Sequence, residues 1–195
     1  MSPESWSPKG ERFLFDVTKG SNFSLWTFSV QDKKAEPFGG VQSSAPTTAV
    51  FSPDGRWVAY YSSETGVSTV YVQPFPATGA KYQISKESAH HPLWSRDGKE
   101  LLYIPGASVQ GTAGRFVVVN VATQPSFTFG NPVPLARGFL ERGPGTERTY
   151  DITPDGKRFV GVVAAGQNQS GAPATPQIQV VLNWFEELKQ RVPSK

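Results

Sequence analysis

His90 and His91 are the only histidines in this 195-residue chain, and they are its first candidates for chemistry. Imidazole nitrogens bind metal ions and exchange protons near neutral pH. Adjacent residues on a strand point to opposite faces, so we do not expect these two rings to chelate one metal ion. They precede Pro92-Leu93-Trp94, which is typical of a strand, and therefore lie where that strand begins.

Three aspartates occur in a repeated tetrapeptide, and we expect them to stabilise turns and not to act in catalysis. In Ser52-Pro53-Asp54-Gly55 the proline suits the second position of a type I turn, the aspartate the third, and the glycine the left-handed residue that follows. Asp97-Gly98 and Asp155-Gly156 end similar tetrapeptides. Such widely separated aspartates are expected on different hairpins and not as a paired acid and base.

The other catalytic motifs tested against the sequence do not fit. The segment 106–110, GASVQ, begins like a nucleophile elbow but lacks the final glycine, and kinase motifs are absent. No cysteine is present to form a disulfide or a thiolate metal site. We therefore predict a chain that is not an enzyme, with no catalytic residue, metal or cofactor.

The tetrapeptides mark a repeat. Each follows an apolar residue, at positions 6, 51, 94 and 152, and these markers are 45, 43 and 58 residues apart. Each precedes a short apolar segment rich in strand formers. A period of about 40 to 50 residues is that of a four-stranded propeller blade. The sequence predicts an all-β chain of about four blades, at 1–46, 47–88, 89–146 and 147–195.

The second repeat, from Phe51 to Phe75, carries a family resemblance. Its aromatic-Ser-Pro-Asp-Gly-basic pattern, followed by Val70-Tyr71-Val72, resembles the WD40-like repeat of TolB-type β-propellers, including those C-terminal to bacterial serine/threonine kinases. The resemblance implies a ring of six or more blades, of which this chain is the C-terminal part, and a periplasmic or other extracytoplasmic parent protein. From the residues alone, a small four-bladed ring is the alternative, and the compartment stays open. It implies a non-catalytic interaction or ligand-sensing module. A propeller that serves a peptidase or other hydrolase, and a gene fragment without activity, remain alternatives.

In such a propeller the beginnings of the inner strands surround a central funnel. His90 and His91 hold that position in the third repeat, and Arg148 and Tyr150, which share one strand face, hold it in the fourth. We expect these four residues to line a mouth that binds an unknown protein or small ligand at the funnel or rim.

Composition limits the partners further. The net charge is +3, with 19 basic and 16 acidic residues intermixed, which does not indicate a nucleic-acid surface. No apolar stretch is long enough for a membrane helix, and no signal peptide is evident. Residues 105–150 are expected to be an insertion with a strand at 117–121 and loops. A helix at 184–192 is expected to end an incomplete last blade, and open blade edges could support self-association.

Overall fold

The computed structural model describes residues 1–106, 113–140, 143–153, 155–156 and 158–162. The chain divides into two compact units, Met1–Val162 and Val163–Lys195, and every described residue belongs to the first. The helix predicted at 184–192 and the end of the last blade lie outside the described residues. Within the described ranges, no helix is long and apolar enough to cross a membrane.

The first two sheets each contain four antiparallel strands in chain order. The first sheet consists of β1 (Ser2–Trp6), β2 (Arg12–Lys19), β3 (Asn22–Ser29) and β4 (Lys34–Ser43). The second consists of β5 (Val50–Phe51), β6 (Trp57–Ser62), β7 (Thr69–Pro74) and β8 (Tyr82–Gln83). This order is that of a propeller blade, and it confirms the all-β prediction.

The third sheet follows the same order and adds a strand. It contains β9 (Ala89–Trp94), β10 (Glu100–Pro105), β11 (Ala113–Ala122) and β12 (Thr128–Phe129), and β13 (Val133–Leu140) also pairs with β11. The described part of the fourth sheet is β14 (Tyr150–Ile152) with β15 (Phe159–Gly161). The blade boundaries given above stay predictions, because the predicted range of the fourth blade, 147–195, runs beyond the described residues.

The insertion contains more strand than the sequence predicts. Instead of beginning at Val117, β11 begins at Ala113, in a stretch expected to be a glycine-rich loop. Two shorter strands share one edge of this long strand: β13 pairs with its beginning and β12 with its end. The insertion therefore extends the third sheet.

Three apolar cores lie between successive sheets, and each joins the front face of one sheet to the rear face of the next. Here the rear face of a sheet is the one toward the preceding sheet in the chain, and the front face is the opposite one. Leu14 and Leu25 of the first sheet pack with Phe51 and Tyr60 of the second. The other two cores join the second sheet to the third through Val70, Val72, Trp94 and Leu101, and the third to the fourth through Leu93, Phe116, Tyr150 and Ile152.

The four tetrapeptides form the same tight turn. In each, the glycine amide donates a hydrogen bond to the carbonyl of the first residue, at 2.8 to 3.0 Å. The glycine φ angles, 69 to 72°, are left-handed, which explains why glycine recurs there. The four glycines are Gly10, Gly55, Gly98 and Gly156.

The turn aspartates stabilise their own turns. Asp54 accepts hydrogen bonds from the Ser52 hydroxyl at 2.6 Å and from the Arg56 amide at 3.0 Å. Although partial burial opposes the shift, these bonds and the Arg56 guanidinium hold the pKa of Asp54 below its ordinary value. Asp97 accepts the equivalent bond from Ser95 at 2.7 Å, and Asp155 accepts one from Thr153.

Successive turns also pack against one another. A Cβ atom added at Gly55 would lie 3.2 Å from the Pro8 ring, and one added at Gly98 would lie 3.6 Å from the Pro53 ring. The second and third turns thus each pack against the second residue of the turn before them. The third turn has Arg96 in place of proline, and its guanidinium donates a hydrogen bond to the Ile152 carbonyl at 2.9 Å.

Candidate axial binding site

The first strands of the four sheets surround a shared cavity of about 450 Å³. The strands β1, β5 and β9 each contribute two lining residues, and β14 contributes one. These are Ser5, Trp6, Val50, Phe51, Leu93, Trp94 and Asp151, and Arg148, which precedes β14, and residues of the turns complete the lining. The Ser5 hydroxyl also accepts a hydrogen bond from the Phe51 amide at 3.3 Å, which joins β1 to β5. These are therefore the inner strands, and the cavity lies on their common axis.

His90 and His91 do not point to opposite faces, which corrects the prediction from strand alternation. Their Nδ1 atoms are 2.7 Å apart, and both side chains are buried. His91 has a φ of 53°, in the left-handed region, and the pairing of β9 with β10 shifts register between Leu102 and Ile104. This irregularity interrupts the alternation and brings the two rings together.

Hydrogen bonding determines which ring nitrogens carry protons when both histidines are neutral. His91 Nε2 is 2.8 Å from the Thr146 carbonyl oxygen, which can only accept, so Nε2 carries the proton. His91 Nδ1 then accepts, and His90 Nδ1 must donate to it. The pair links β9 to the segment that leads into β14.

Arg148 and Tyr150 also donate hydrogen bonds to β9. The Tyr150 hydroxyl donates to the His91 carbonyl at 2.7 Å. Arg148 donates through Nη1 to the Pro92 carbonyl at 3.3 Å and through Nε to the Tyr150 carbonyl at 3.1 Å. The structure therefore brings together all four residues proposed for the funnel, although their binding role stays a prediction.

The site also contains a carboxyl pair, Glu4 and Asp16, that the sequence analysis missed. Glu4 lies at an irregularity in the pairing of β1 with β2, between Pro3 and Ser5, and such bulges redirect side chains. Asp16 is fully buried and accepts hydrogen bonds from the Thr47 amide at 2.7 Å and the Thr47 hydroxyl at 2.8 Å. One available signal was the charge of Asp16 within the apolar segment 13–17, FLFDV.

The two carboxyl groups share a proton at neutral pH. Burial, together with the charge of Asp16 and the hydrogen bond with it, raises the pKa of Glu4 to about 9, and Arg148 opposes the rise. Burial also raises the pKa of Asp16, while its hydrogen bonds from Thr47 oppose this. Glu4 is therefore protonated and donates to Asp16.

A second cavity, of about 440 Å³, lies beside this pair. It is bordered by Glu4 and Thr48 on one side and by Thr146, Glu147 and Arg148 on the other. The Thr48 hydroxyl is buried without a hydrogen-bond partner among the described residues, and Thr48 has a left-handed φ of 45°. Arg148 borders both axial cavities, so it connects the carboxyl pair to the inner strands.

The described residues do not assemble a metal centre. Nowhere in the described ranges do three histidine, aspartate or glutamate side chains come together as metal ligands.

Comparison with known proteins identifies the fold. No protein-family model matches the chain. The Tol-Pal system protein TolB of Anaeromyxobacter dehalogenans strain 2CP-C is 28% identical over 95 residues, which is 48% of this chain and 21% of that protein. The matched region is thus about a fifth of the relative's length.

Two solved structures share the architecture. The putative TolB from Agrobacterium tumefaciens superimposes with a TM-score of 0.60 and 17% identity, over 82% of this chain and 58% of that one. TolB from Acinetobacter baumannii gives 0.57 and 18%, over 81% and 41%. Together with the meander sheets and their shared axis, these matches show that the chain folds as a TolB-like β-propeller.

Proposed function

We propose that this chain is a non-catalytic interaction or sensing module that binds a positively charged segment of a partner at its axis. The observation that carries the proposal is the 440 Å³ cavity beside Glu4, with the Thr48 hydroxyl unpartnered at its wall. A buried hydroxyl without a partner costs free energy that a ligand could recover by hydrogen bonding to it. The cavity therefore has room for a ligand group and a hydroxyl to which that group could hydrogen bond.

The charges favour a cationic group. At neutral pH the carboxylates of Asp16 and Glu147 act at this end of the axis against the guanidinium of Arg148, and Glu4 is a third carboxyl group that a nearby cation would ionise. An ammonium or guanidinium beside Glu4 would favour its ionised form, so binding releases a proton.

A displayed library of random peptides, selected on the immobilised chain, tests the proposal. We expect enrichment of peptides with lysine or arginine, and titration of the enriched peptide should give tighter binding at pH 8 than at pH 6. Glu4→Gln should weaken binding about tenfold, whereas Glu11→Gln, the same change on an exposed turn, should not. Enrichment of neutral or acidic peptides, or equal binding by both variants, would contradict it.

The chain is also proposed to be the C-terminal part of a larger bacterial, extracytoplasmic protein, such as a receptor-type serine/threonine kinase. The superpositions support a larger parent protein, because the chain covers only 58% and 41% of the two TolB chains. The kinase rests on the sequence resemblance alone. Sequencing the gene upstream of this reading frame for a kinase domain tests it directly.

A hydrolase acting from the funnel, alone or with a peptidase, is the second candidate. Glu4 and Asp16 favour it, since acid–base catalysts often pair a protonated with an ionised carboxyl. Against it, both Asp16 oxygens already accept hydrogen bonds from Thr47. Turnover of ester, glycoside or peptide substrates by the purified chain, lost in Glu4→Gln and His91→Ala, would support this candidate over binding alone.

A further inference from the structure

We propose that a cavity of about 690 Å³ between the second and third sheets binds a small uncharged aromatic molecule that carries a hydrogen-bond acceptor. Its walls are the connection from β8 to β9, the rear face of the third sheet and the loop between β12 and β13. This volume is typical of small-molecule sites. The described residues that line the cavity include none from the first strands of the four sheets, so the site is separate from the axial cavities and does not depend on the function proposed for them.

One wall of the cavity is the connection 84–88. Hydrogen bonds hold it at both ends: the Ile84 amide donates to the Val70 carbonyl at 2.9 Å, and the Ser88 carbonyl accepts from the Gly106 amide at 2.5 Å. Val70 belongs to the second sheet, and Gly106 directly follows a strand of the third. The connection is therefore anchored to both sheets beside the cavity.

The facing wall is a row of side chains on the rear face of the third sheet. Tyr103 pairs with Val117, and Val117 pairs with Pro134. Directly paired residues share a face of a sheet, and Tyr103 and Val117 belong to the core shared with the second sheet. The row ends on β13, which has no counterpart in the described four-stranded second sheet. The insertion thus extends the rear face past the strands that the second sheet places opposite it.

Ring side chains supply much of the apolar lining. Pro105, Pro132 and Pro134 line the cavity together with Phe129. Phe129 is 42% exposed, although Phe127, two residues before it, is buried in the core between the two sheets. Flat and conformationally restricted rings offer many close contacts to another flat ring. The shape and apolar character of these walls therefore favour an aromatic ligand.

Tyr103 supplies an unsatisfied polar group. The residue is only 4% exposed, and its hydroxyl has no hydrogen-bond partner among the described residues. This hydroxyl is nevertheless not one of the fully enclosed polar atoms in the described part of the chain, so a molecule in the cavity can reach it. A buried hydroxyl without a partner costs free energy that an acceptor on the ligand would recover.

The charges at the cavity favour an uncharged ligand with an acceptor. Burial raises the pKa of Tyr103 above its ordinary value, and the negative charge of Glu87 raises it further, so the hydroxyl keeps its proton at neutral pH and can donate it. Glu87 and its neighbour Lys86, the charged residues among those described in the lining, have opposite signs. A carbonyl oxygen on a neutral ring is the matching group.

NMR spectra of the isotope-labelled chain, titrated with acetophenone, test the site. Acetophenone has one flat ring and one carbonyl acceptor, and ethylbenzene has a similar shape without the acceptor. We expect acetophenone to bind with a Kd of about 1 mM, as suits so small a ligand, and to shift the amide signals of residues 84–88 and 130–131.

Tyr103→Phe removes only the hydroxyl and should weaken acetophenone binding about three- to tenfold. Ethylbenzene should bind this variant and the unchanged chain alike, which also shows that the variant keeps its cavity. Tyr82→Phe, the same change at a partly buried tyrosine outside the cavity, is the matched control and should bind acetophenone as the unchanged chain does. Glu4→Gln should also bind it normally, so failure of the axial proposal is distinguishable from failure of this one.

Two kinds of result would overturn the proposal. One is no acetophenone binding up to the limit of its solubility, or signal changes confined to residues away from the cavity. The other is Tyr103→Phe that binds acetophenone as well as the unchanged chain, or that weakens both probes equally, because the hydroxyl would then not donate to the ligand.

Discussion

The first and second sheets have the same strand order but differ in how many of their faces are covered. In the second sheet nearly every residue of β6 and β7 is buried, because sheets pack on both sides. In the first sheet β3 alternates between buried and partly buried residues, because only one side is packed. The same repeat thus forms a strand that is buried on both faces or on one face, according to the sheets beside it. The local sequence alone does not determine which.

The largest expected effect compares two tryptophans at the same repeat position. Trp94→Ala should lower the free energy of unfolding by about 3 to 5 kcal/mol, because it removes a large side chain from the core between the second and third sheets. Trp6→Ala should lower it by about 1 kcal/mol or less, since that ring is mostly exposed. Denaturant melts at low protein concentration measure both, and similar losses would refute the one-sided description of the first sheet.

A second prediction concerns the buried carboxyl pair on the covered side of the first sheet. Glu4 has a higher pKa in the folded chain than in the unfolded chain, so it binds a proton on folding, and stability falls as pH rises through the interval up to about 9. Glu4→Gln carries no such proton and should raise the free energy of unfolding at pH 8 by about 2 kcal/mol. The gain should vanish near pH 4, and a gain independent of pH would contradict the proton-sharing pair.

The turn glycines provide a third comparison. Gly10 and Gly55 have nearly the same φ, 70° and 72°, so replacement by alanine introduces the same backbone strain in both. Only at Gly55 would the new methyl group press on the Pro8 ring, at 3.2 Å. We expect Gly55→Ala to destabilise the chain more than Gly10→Ala, by about 1 kcal/mol. Equal losses in thermal melts would show that the turns do not pack as described.

The smallest expected effect concerns Lys9, which replaces the turn aspartate in the first repeat. Lys9→Asp would allow the Ser7 hydroxyl to donate to a carboxylate, as Ser52 does to Asp54. The bond should add about 0.5 kcal/mol at pH 7. Because such a bond lowers the aspartate pKa, the gain should disappear as pH falls below about 4. A melt showing no gain, or a gain that persists at low pH, would argue against this role of the turn aspartates.

Much of the fold was predictable because its signals are local. The spacing of the turn tetrapeptides predicted blade repeats, which the structure confirms. The uninterrupted apolar run Val70-Tyr71-Val72 lies in a strand that is buried on both faces. The position of Arg148 and Tyr150 next to the histidines could also be predicted, because equivalent ends of inner strands meet at one axis.

The features that sequence reasoning missed depend on irregular backbone. His90 and His91 face each other because His91 adopts a left-handed φ next to a register shift. Glu4 joins Asp16 because β1 is irregular at that residue. Such bulges depend on pairing between strands, so the alternation rule fails at the positions where the site is formed.

Blade-type sheets pack face to face from the first to the fourth, so the sheet before it covers the rear face of each later sheet. Radical footprinting of tryptophan side chains, at a concentration low enough for monomers, tests it most directly. We expect strong protection of Trp94 and rapid modification of Trp6. Equal modification of Trp6 and Trp94 in the monomer would contradict it.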